Sequence, residues 1–425
     1  MANDGAAVRL LRRLPPQRVP QLFGLCWVIY FAANLGRLSY GAAMADIIIA
    51  EGFSLAKAGL VGTGFFFSYG AGQLVTGYVG DKVPPGRMVL LGILGSGLIN
   101  LTMGFLHTPG QMLAAWCLNG LIQSAIWTPI LRIITEYFPI ALRHRICVNM
   151  STTYPVAALI AYLGGGLLVY LSGWRSIFLI TGGLMVLLSA VWVVAFRRID
   201  RDTGVEAVQE EVPAEAAAAP ANEATGRKLP LPILLLGLIC AALVMQGALR
   251  DGVMTWVPAF LDSNFKVGAT LSTLSTTLLP VVNLAGVYAA GAVQRRLKNE
   301  LSTSMVFFTT ASLGAGLLLA GRSSLVISLL AFSLITSSMM GVNLMLVSFV
   351  PTYFLAWGRV SFVAGLVNSM VYVGSSVATY GIGAVADSLG WGVLLFLLLG
   401  IAVAGGIFCL LNISPWKRFL RRIEK

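Results

Sequence analysis

The chain has 425 residues, of which 57% are hydrophobic and only 11% are charged. A water-soluble protein of this length needs more polar surface than this composition supplies, so a soluble protein is excluded. The formal net charge of +12 would suit a nucleic acid, but the distribution of the positive residues excludes that partner.

Apolar runs of about 20 residues recur along the whole chain, and each can cross a hydrocarbon core of roughly 30 Å. In lipid such a run satisfies its backbone only as a helix. The first run is too long for a signal-peptide core, so we expect it to be retained. The sequence therefore predicts an all-α membrane protein with twelve transmembrane helices. They lie at about 21–47, 56–80, 88–106, 111–135, 146–170, 175–196, 231–258, 270–293, 302–320, 323–354, 361–386 and 391–413.

The Lys and Arg residues alternate with these helices. Twenty-two of the 29 fall on one side of the predicted membrane and four on the other. Because cytoplasmic loops carry the excess of positive residues, we predict that both termini are cytoplasmic. Short termini and loops are typical of a bacterial inner membrane. The positive charge thus indicates a lipid bilayer as partner and no nucleic acid.

The segment 197–228 interrupts the apolar pattern with acidic residues and an alanine run, which is typical of a flexible cytoplasmic linker. We predict an N-terminal six-helix bundle over 1–196, a linker over 197–230 and a C-terminal six-helix bundle over 231–425.

The two bundles repeat each other, which predicts a pseudo-symmetric fold. Parallel six-helix repeats are the plan of the major-facilitator transporters, with the substrate bound at the midplane between them. Three pairs of features mark the repeat: Arg37 and Arg250 in the first helices, V-N-M-S-T-T-Y at 148–154 and V-N-S-M-V-Y at 367–372 in the fifth helices, and the steps Gly173-Trp174 and Gly390-Trp391.

Arg37 and Arg250 are the first candidates for a substrate site. An arginine near the bilayer centre costs roughly 2.5–3.5 kcal/mol on insertion scales, so it needs a partner or a wet cavity. Two guanidinium groups that face each other repel unless an anion bridges them. The planar fork of each guanidinium presents two parallel N–H donors, which match phosphate or carboxylate oxygens. The alternative is a structural ion pair. Neighbours on a helix point apart, so Asp251 would pair with Arg37 across the cavity rather than with Arg250.

Three residues are candidates for coupling or gating. Asp251 is the acid placed deepest in a span, where a transported proton could bind. Asp81 and Arg87 belong to the turn at 77–87 after the second helix, at the cytoplasmic surface. Asp81 lies near helix ends and basic groups there, so it could hold the two halves together in one conformational state.

No motif for catalysis or for a cofactor is present. The chain lacks G-x-x-x-x-G-K-[ST] and any Ser–His–Asp or Cys–His set, and its two histidines are far apart. Its five cysteines lie in apolar stretches without a C-x-x-C spacing. We therefore predict a protein that is not an enzyme and that uses no metal and no cofactor.

Four segments carry a family resemblance: N-L-G-R-L-S-Y at 34–40, S-Y-G-A-G-Q at 68–73, W-T-P-I-L-R at 127–132 and L-R-D-G-V-M-T-W-V-P at 249–258. They resemble the organophosphate:phosphate antiporters, a major-facilitator family that includes glycerol-3-phosphate, hexose-phosphate and glucose-6-phosphate transporters. The resemblance implies that Arg37 and Arg250 bind phosphate.

The chain departs from that family at several cavity positions. A lysine common after the first arginine is Leu38 here, a lysine of the second helix is Gln73, and a tyrosine after the second arginine is Asp251. The cavity is therefore less positive than in a typical member. Neutral hydrogen bonds to the substrate would come from Tyr154, Gln73, Asn34, Asn149 and Asn368.

These observations predict a secondary transporter that exchanges a phosphate ester for inorganic phosphate by alternating access. One alternative is proton-coupled transport of another organic anion, such as a carboxylate, with Asp251 taking the proton. Another is a transporter-like sensor that binds the anion and signals to a partner. We expect a monomer.

Overall fold

The computed structural model describes residues 9–53, 55–208, 233–266, 275–357 and 359–424, which are almost entirely helical. The first half contains a 3-10 turn at Pro16–Arg18 and the helices α1 (Val19–Glu51), α2 (Leu55–Gly80), α3 (Pro85–Met103), α4 (Pro109–Tyr137), α5 (Ile140–Met150), α6 (Thr153–Ser172) and α7 (Arg175–Asp202). The second half contains α8 (Ile233–Gly247), α9 (Val253–Phe265), α10 (Leu278–Leu297), α11 (Glu300–Ala320), α12 (Leu325–Asn343) and α13 (Val360–Glu424).

Helical segments match the predicted spans in chain order. Ten of them, within the described ranges, are long and apolar enough to cross a membrane. The other two are α2 and α10, which are helical over 26 and 20 residues. The predicted fifth span is formed by α5 and α6 together and begins at Ile140. The start of the eighth span, 270–274, lies outside the described residues.

Two spans of the second half contain π-helical segments that the sequence does not predict. Residues Ala248–Gly252 form one such segment between α8 and α9. Another, Leu344–Phe349, follows α12 and continues into a 3-10 helix at Val350–Trp357. Because π segments occur frequently at functional sites, the first is notable for containing Arg250 and Asp251.

The Gly-Trp steps predicted as equivalent in the two halves have the same backbone conformation. Gly173 has φ 77° and Gly390 has φ 78°, a left-handed region that favours glycine. Gly173 separates α6 from α7, and Gly390 divides α13 into two helices. These matching turns support the internal repeat.

Glycines bring the two halves into close contact along α2 and α13. A methyl group added at Gly77 would lie 2.9 Å from the carbonyl oxygen of Ser361 and 3.0 Å from Cα of Gly365. A methyl group at Gly70 would lie 3.1 Å from Cβ of Tyr372. Small residues allow helices in a membrane to approach this closely.

The first residues of the predicted linker, 197–208, have regular structure. Helix α7 continues to Asp202, and a short strand, β2 (Gly204–Val208), then pairs antiparallel with β1 (Arg9–Arg13) near the N-terminus. Arg18 donates to the carboxylate of Asp202, with Nε 2.9 Å from Oδ2. Residues 197–208 are therefore tied to the first half, and 209–230 lie outside the described residues.

Candidate functional site

The two predicted arginines lie around one tyrosine ring between the halves. The guanidinium carbon of Arg37, on α1, is 5.2 Å from the centre of the Tyr154 ring, and that of Arg250 is 5.6 Å from the same centre. Both arginines are buried, with exposed fractions of 9% and 6%. The position of Tyr154 near the start of α6 thus places a π face beside two cations, a favourable arrangement when water is excluded.

Arg250 forms an ion pair with its neighbour Asp251, contrary to the sequence expectation. Its Nε lies 2.8 Å from Oδ1 and its Nη2 lies 2.8 Å from Oδ2, so both arms of the fork are occupied. The expectation assumed a regular α-helix, whereas both residues lie in the π-helical segment. That wider turn and the long arginine stem bring the two groups together. Asp251 therefore does not take up the predicted pairing with Arg37.

Another residue of the same half also holds Asp251. Ser375, on α13, donates its hydroxyl to Oδ2 of Asp251 over 2.7 Å. Asp251 is 4% exposed, and its carboxylate accepts three hydrogen bonds in this arrangement. Charge-assisted hydrogen bonds of this kind stabilise an ionised carboxylate in a buried site.

Arg37 has neutral partners instead. Its Nη2 donates to Oδ1 of Asn34 over 2.9 Å, and its Nη1 donates to the hydroxyl of Tyr372. Asn34 in turn donates to Thr153 over 3.3 Å. The centre of the protein therefore holds two guanidinium groups and one carboxylate, which leaves one positive charge without an anionic counterpart among the described residues.

Aromatic residues that the sequence analysis did not select complete the site. The guanidinium of Arg37 lies 5.8 Å from the ring centres of both Tyr69 and Tyr372. These two rings are themselves 4.4 Å apart and join the halves. The repeat contained the signal for Tyr372, because it ends the segment equivalent to the one that ends in Tyr154.

Among the described residues, the other predicted polar side chains form no hydrogen bond with the two arginines. The amide of Gln73 is directed toward α4, where it donates to the Ser124 carbonyl over 3.1 Å. The backbone carbonyl of Asn149 accepts a hydrogen bond from the indole Nε1 of Trp27 over 3.2 Å. Asn368 is buried one turn before Tyr372 on α13.

Asp81 bridges the halves, at the end that the charge pattern assigns to the cytoplasm. Its two carboxylate oxygens accept from the backbone nitrogens of Ser361 and Phe362, at 3.0 and 3.1 Å. These are orphan donors in the first turn of α13, so Asp81 of the first half caps a helix of the second. Arg87 is exposed in the first turn of α3, and within the part of the chain that the structure describes its side chain forms no hydrogen bond with Asp81.

Two residues of α5 also contact the second half near that end. Sγ of Cys147, on α5, lies 4.0 Å from the Ser348 carbonyl oxygen. The ring of His144 packs against Phe349 in a tilted arrangement, with centres 4.5 Å apart. Together with Asp81 these contacts close one end of the interface between the halves.

Comparison with known proteins gives consistent matches over most of the chain. The family model described as Major Facilitator Superfamily matches residues 26–379. A probable hexose phosphate transport protein of Chlamydia pneumoniae is 25% identical over 93% of this chain and 90% of its own length. The membrane sensor protein UhpC of Escherichia coli is 23% identical over 91% of this chain and 89% of its own.

A solved structure has the same fold. The human organic anion transporter MFSD10 superposes with a TM-score of 0.67, at 13% identity, over 93% of this chain and 100% of the other.

Proposed function

This chain belongs to the Major Facilitator Superfamily and is a multi-pass membrane transporter, and we propose that it exchanges an organic phosphate for inorganic phosphate. The observation that carries this proposal is the pair of buried arginines around Tyr154. One comes from the first span of each half. An anion held by both would link the halves, as an exchanger requires.

Phosphate suits these groups because arginine presents two parallel donors to its oxygens. Arg37 already has neutral partners, Asn34 and Tyr372, which an anion can replace or join without displacing a charge. The name of the chlamydial relative, a probable hexose phosphate transport protein, supports the same class of substrate.

Alternating access would use the contacts at the closed end. In this conformation Asp81 caps α13, and opening of that end would break the cap. The bound anion would favour rocking by drawing the arginines together, because a ligand shifts a conformational equilibrium only through its different affinities for the two states. We extend the proposal to two six-helix domains, 1–196 and 231–425, in a monomer of a bacterial inner membrane with cytoplasmic termini.

One observation favours a second candidate function. The ionised pair of Arg250 and Asp251 is the arrangement expected if a proton on Asp251 releases Arg250 for a carboxylate substrate. Proton-coupled transport of an organic carboxylate therefore stands as the alternative. A sensor function, which the name of the Escherichia coli relative suggests, would combine anion binding with little transport.

The test is phosphate counterflow in proteoliposomes loaded with phosphate and given labelled phosphate outside. We expect robust exchange by the wild type and its loss in both Arg37→Lys and Arg250→Lys, because lysine keeps the charge but not the fork. The matched control is Arg322→Lys, since Arg322 is exposed and lies outside the site, and this variant should exchange normally.

Counterflow, together with carboxylate uptake and phosphate binding by the same purified protein, separates the alternatives. A folded protein that exchanges no phosphate would contradict phosphate antiport. Uptake of a carboxylate that depends on an imposed pH gradient would support the proton-coupled candidate. Phosphate binding without exchange would support the sensor.

A further inference from the structure

Resting on the anion site proposed above, we propose that Asp251 is a tethered competitor of the substrate that makes the site select singly charged over doubly charged anions. It occupies the fork of Arg250 as a substrate carboxylate or phosphate would. It also keeps a negative charge beside any anion that takes its place.

The geometry of the Arg250 fork carries the first step. Both Nε and Nη2 donate to Asp251, each over 2.8 Å. This is the bidentate arrangement in which arginine recognises carboxylate and phosphate ligands. An incoming anion therefore engages Arg250 only by sharing or displacing the Asp251 carboxylate.

A displaced Asp251 has no route to water within this arrangement. Its carboxylate is also anchored by Ser375 on α13, and Asp251 is 4% exposed. Its neighbours from the other half are Arg37 on α1 and the tyrosines Tyr154 and Tyr162 on α6, all within electrostatic range. The carboxylate thus stays in the site while the substrate is bound.

The charge count gives the second step. Arg37 and Arg250 supply two positive charges, and Asp251 supplies one negative charge. One further negative charge brings the buried site to neutrality, whereas a second leaves an excess anion in a low-dielectric region. An uncompensated buried charge is costly, so a singly charged anion is favoured unless a proton first neutralises Asp251.

Inorganic phosphate is a suitable probe, because it is mainly singly charged at about pH 6 and mainly doubly charged at about pH 8. We expect the wild type to exchange phosphate at least about fivefold faster at the lower pH, because repulsion between two close negative charges is typically strong enough to change a rate by this factor. Asp251→Asn removes the competing charge but keeps the side-chain shape. Its ratio of rates should fall to about one or below.

Ser375→Ala is the matched control. It removes a hydrogen bond from Asp251 while the carboxylate remains, so the preference for the lower pH should persist. A wild-type ratio near one, or the same high ratio in Asp251→Asn, would overturn the selectivity role.

A second measurement needs no variant and no phosphate. Thermal unfolding of the purified wild type is followed with benzoate, which has one carboxylate, and with phthalate, which has two, because a ligand that binds the native state stabilises it. Stabilisation by benzoate but not phthalate supports the inference even if phosphate exchange is absent and the antiport proposal fails. Equal stabilisation by both, or by neither, overturns the inference.

Discussion

Asn34 has a positioning role that can be separated from general stability. It accepts from Nη2 of Arg37 over 2.9 Å and donates to Thr153 on α6. It therefore fixes the direction of the Arg37 fork relative to Tyr154, which lies next to Thr153 in the chain. Hydrogen bonds to charged groups contribute more than neutral ones when both partners are buried.

We predict that Asn34→Ala raises KM for phosphate exchange by about tenfold, because Arg37 loses an acceptor that holds it in place. Counterflow at graded phosphate concentrations measures the change. Asn100→Ala is the control, since Asn100 is also buried but bonds to Ser96 of its own helix. An unchanged KM in Asn34→Ala, or an equal rise in both variants, would argue against the positioning role.

At the scale of single residues, charge was predictable and side-chain direction was not. Arg37 and Arg250 are conspicuous because a cation in an apolar span is costly. The partner of Asp251 was predicted wrongly, because a π-helical turn changes the angle between neighbours. Gln73 lies on the right helix, but its amide turns toward α4. Tyr372 was missed because a tyrosine within a span is equally typical of simple packing.

At the scale of helices, the contact between α2 and α13 depends on glycine. A methyl group at Gly365 would collide with the backbone carbonyl of Gln73 and would lie 2.8 Å from Cα of Gly77. Backbone atoms cannot rotate away as a side chain can. The contact therefore requires a residue without Cβ at this position.

We predict that Gly365→Ala lowers the stability of the closed conformation by about 1–3 kcal/mol, as expected for overpacking. Gly381→Ala, on the same helix, should be neutral or slightly stabilising, because a methyl group there meets nothing within 4 Å and alanine favours the helix. Thermal unfolding of the purified variants is the measurement. Equal melting temperatures for the two variants would contradict this packing argument.

The helices themselves were largely predictable, because span length and hydropathy follow from the thickness of the bilayer. The equivalent turns at Gly173 and Gly390 were also readable from the sequence. Their φ values are 77° and 78°. The π segments were not predictable, since no local composition distinguishes Ala248–Gly252 from α-helix. The pairing of Gly204–Val208 with Arg9–Arg13 joins distant segments that pattern alone does not associate.

At the scale of the whole molecule, Asp81 joins the two halves at the closed end of the interface, through two backbone donors of α13. Cys147 lies at the same closed end against the Ser348 carbonyl and is 1% exposed. Separation of the halves at this end would uncover its thiol, which makes Cys147 a native reporter of opening.

We predict that Asp81→Ala increases the rate at which a maleimide labels Cys147 by about fivefold, because loss of a helix cap costs about 1 kcal/mol and shifts the population toward the open state. The experiment uses protein in which Cys147 is the sole cysteine. Asp202→Ala is the matched control, since Asp202 pairs with Arg18 within the first half and its loss should leave labelling unchanged. A version with Cys409 as the sole cysteine, buried within the second half, reports general loosening.

If Asp81→Ala speeds the labelling of Cys147 but not that of Cys409, Asp81 holds this end closed. If the labelling rate of Cys147 is unchanged, ring contacts such as that of His144 with Phe349 are sufficient to keep this end closed.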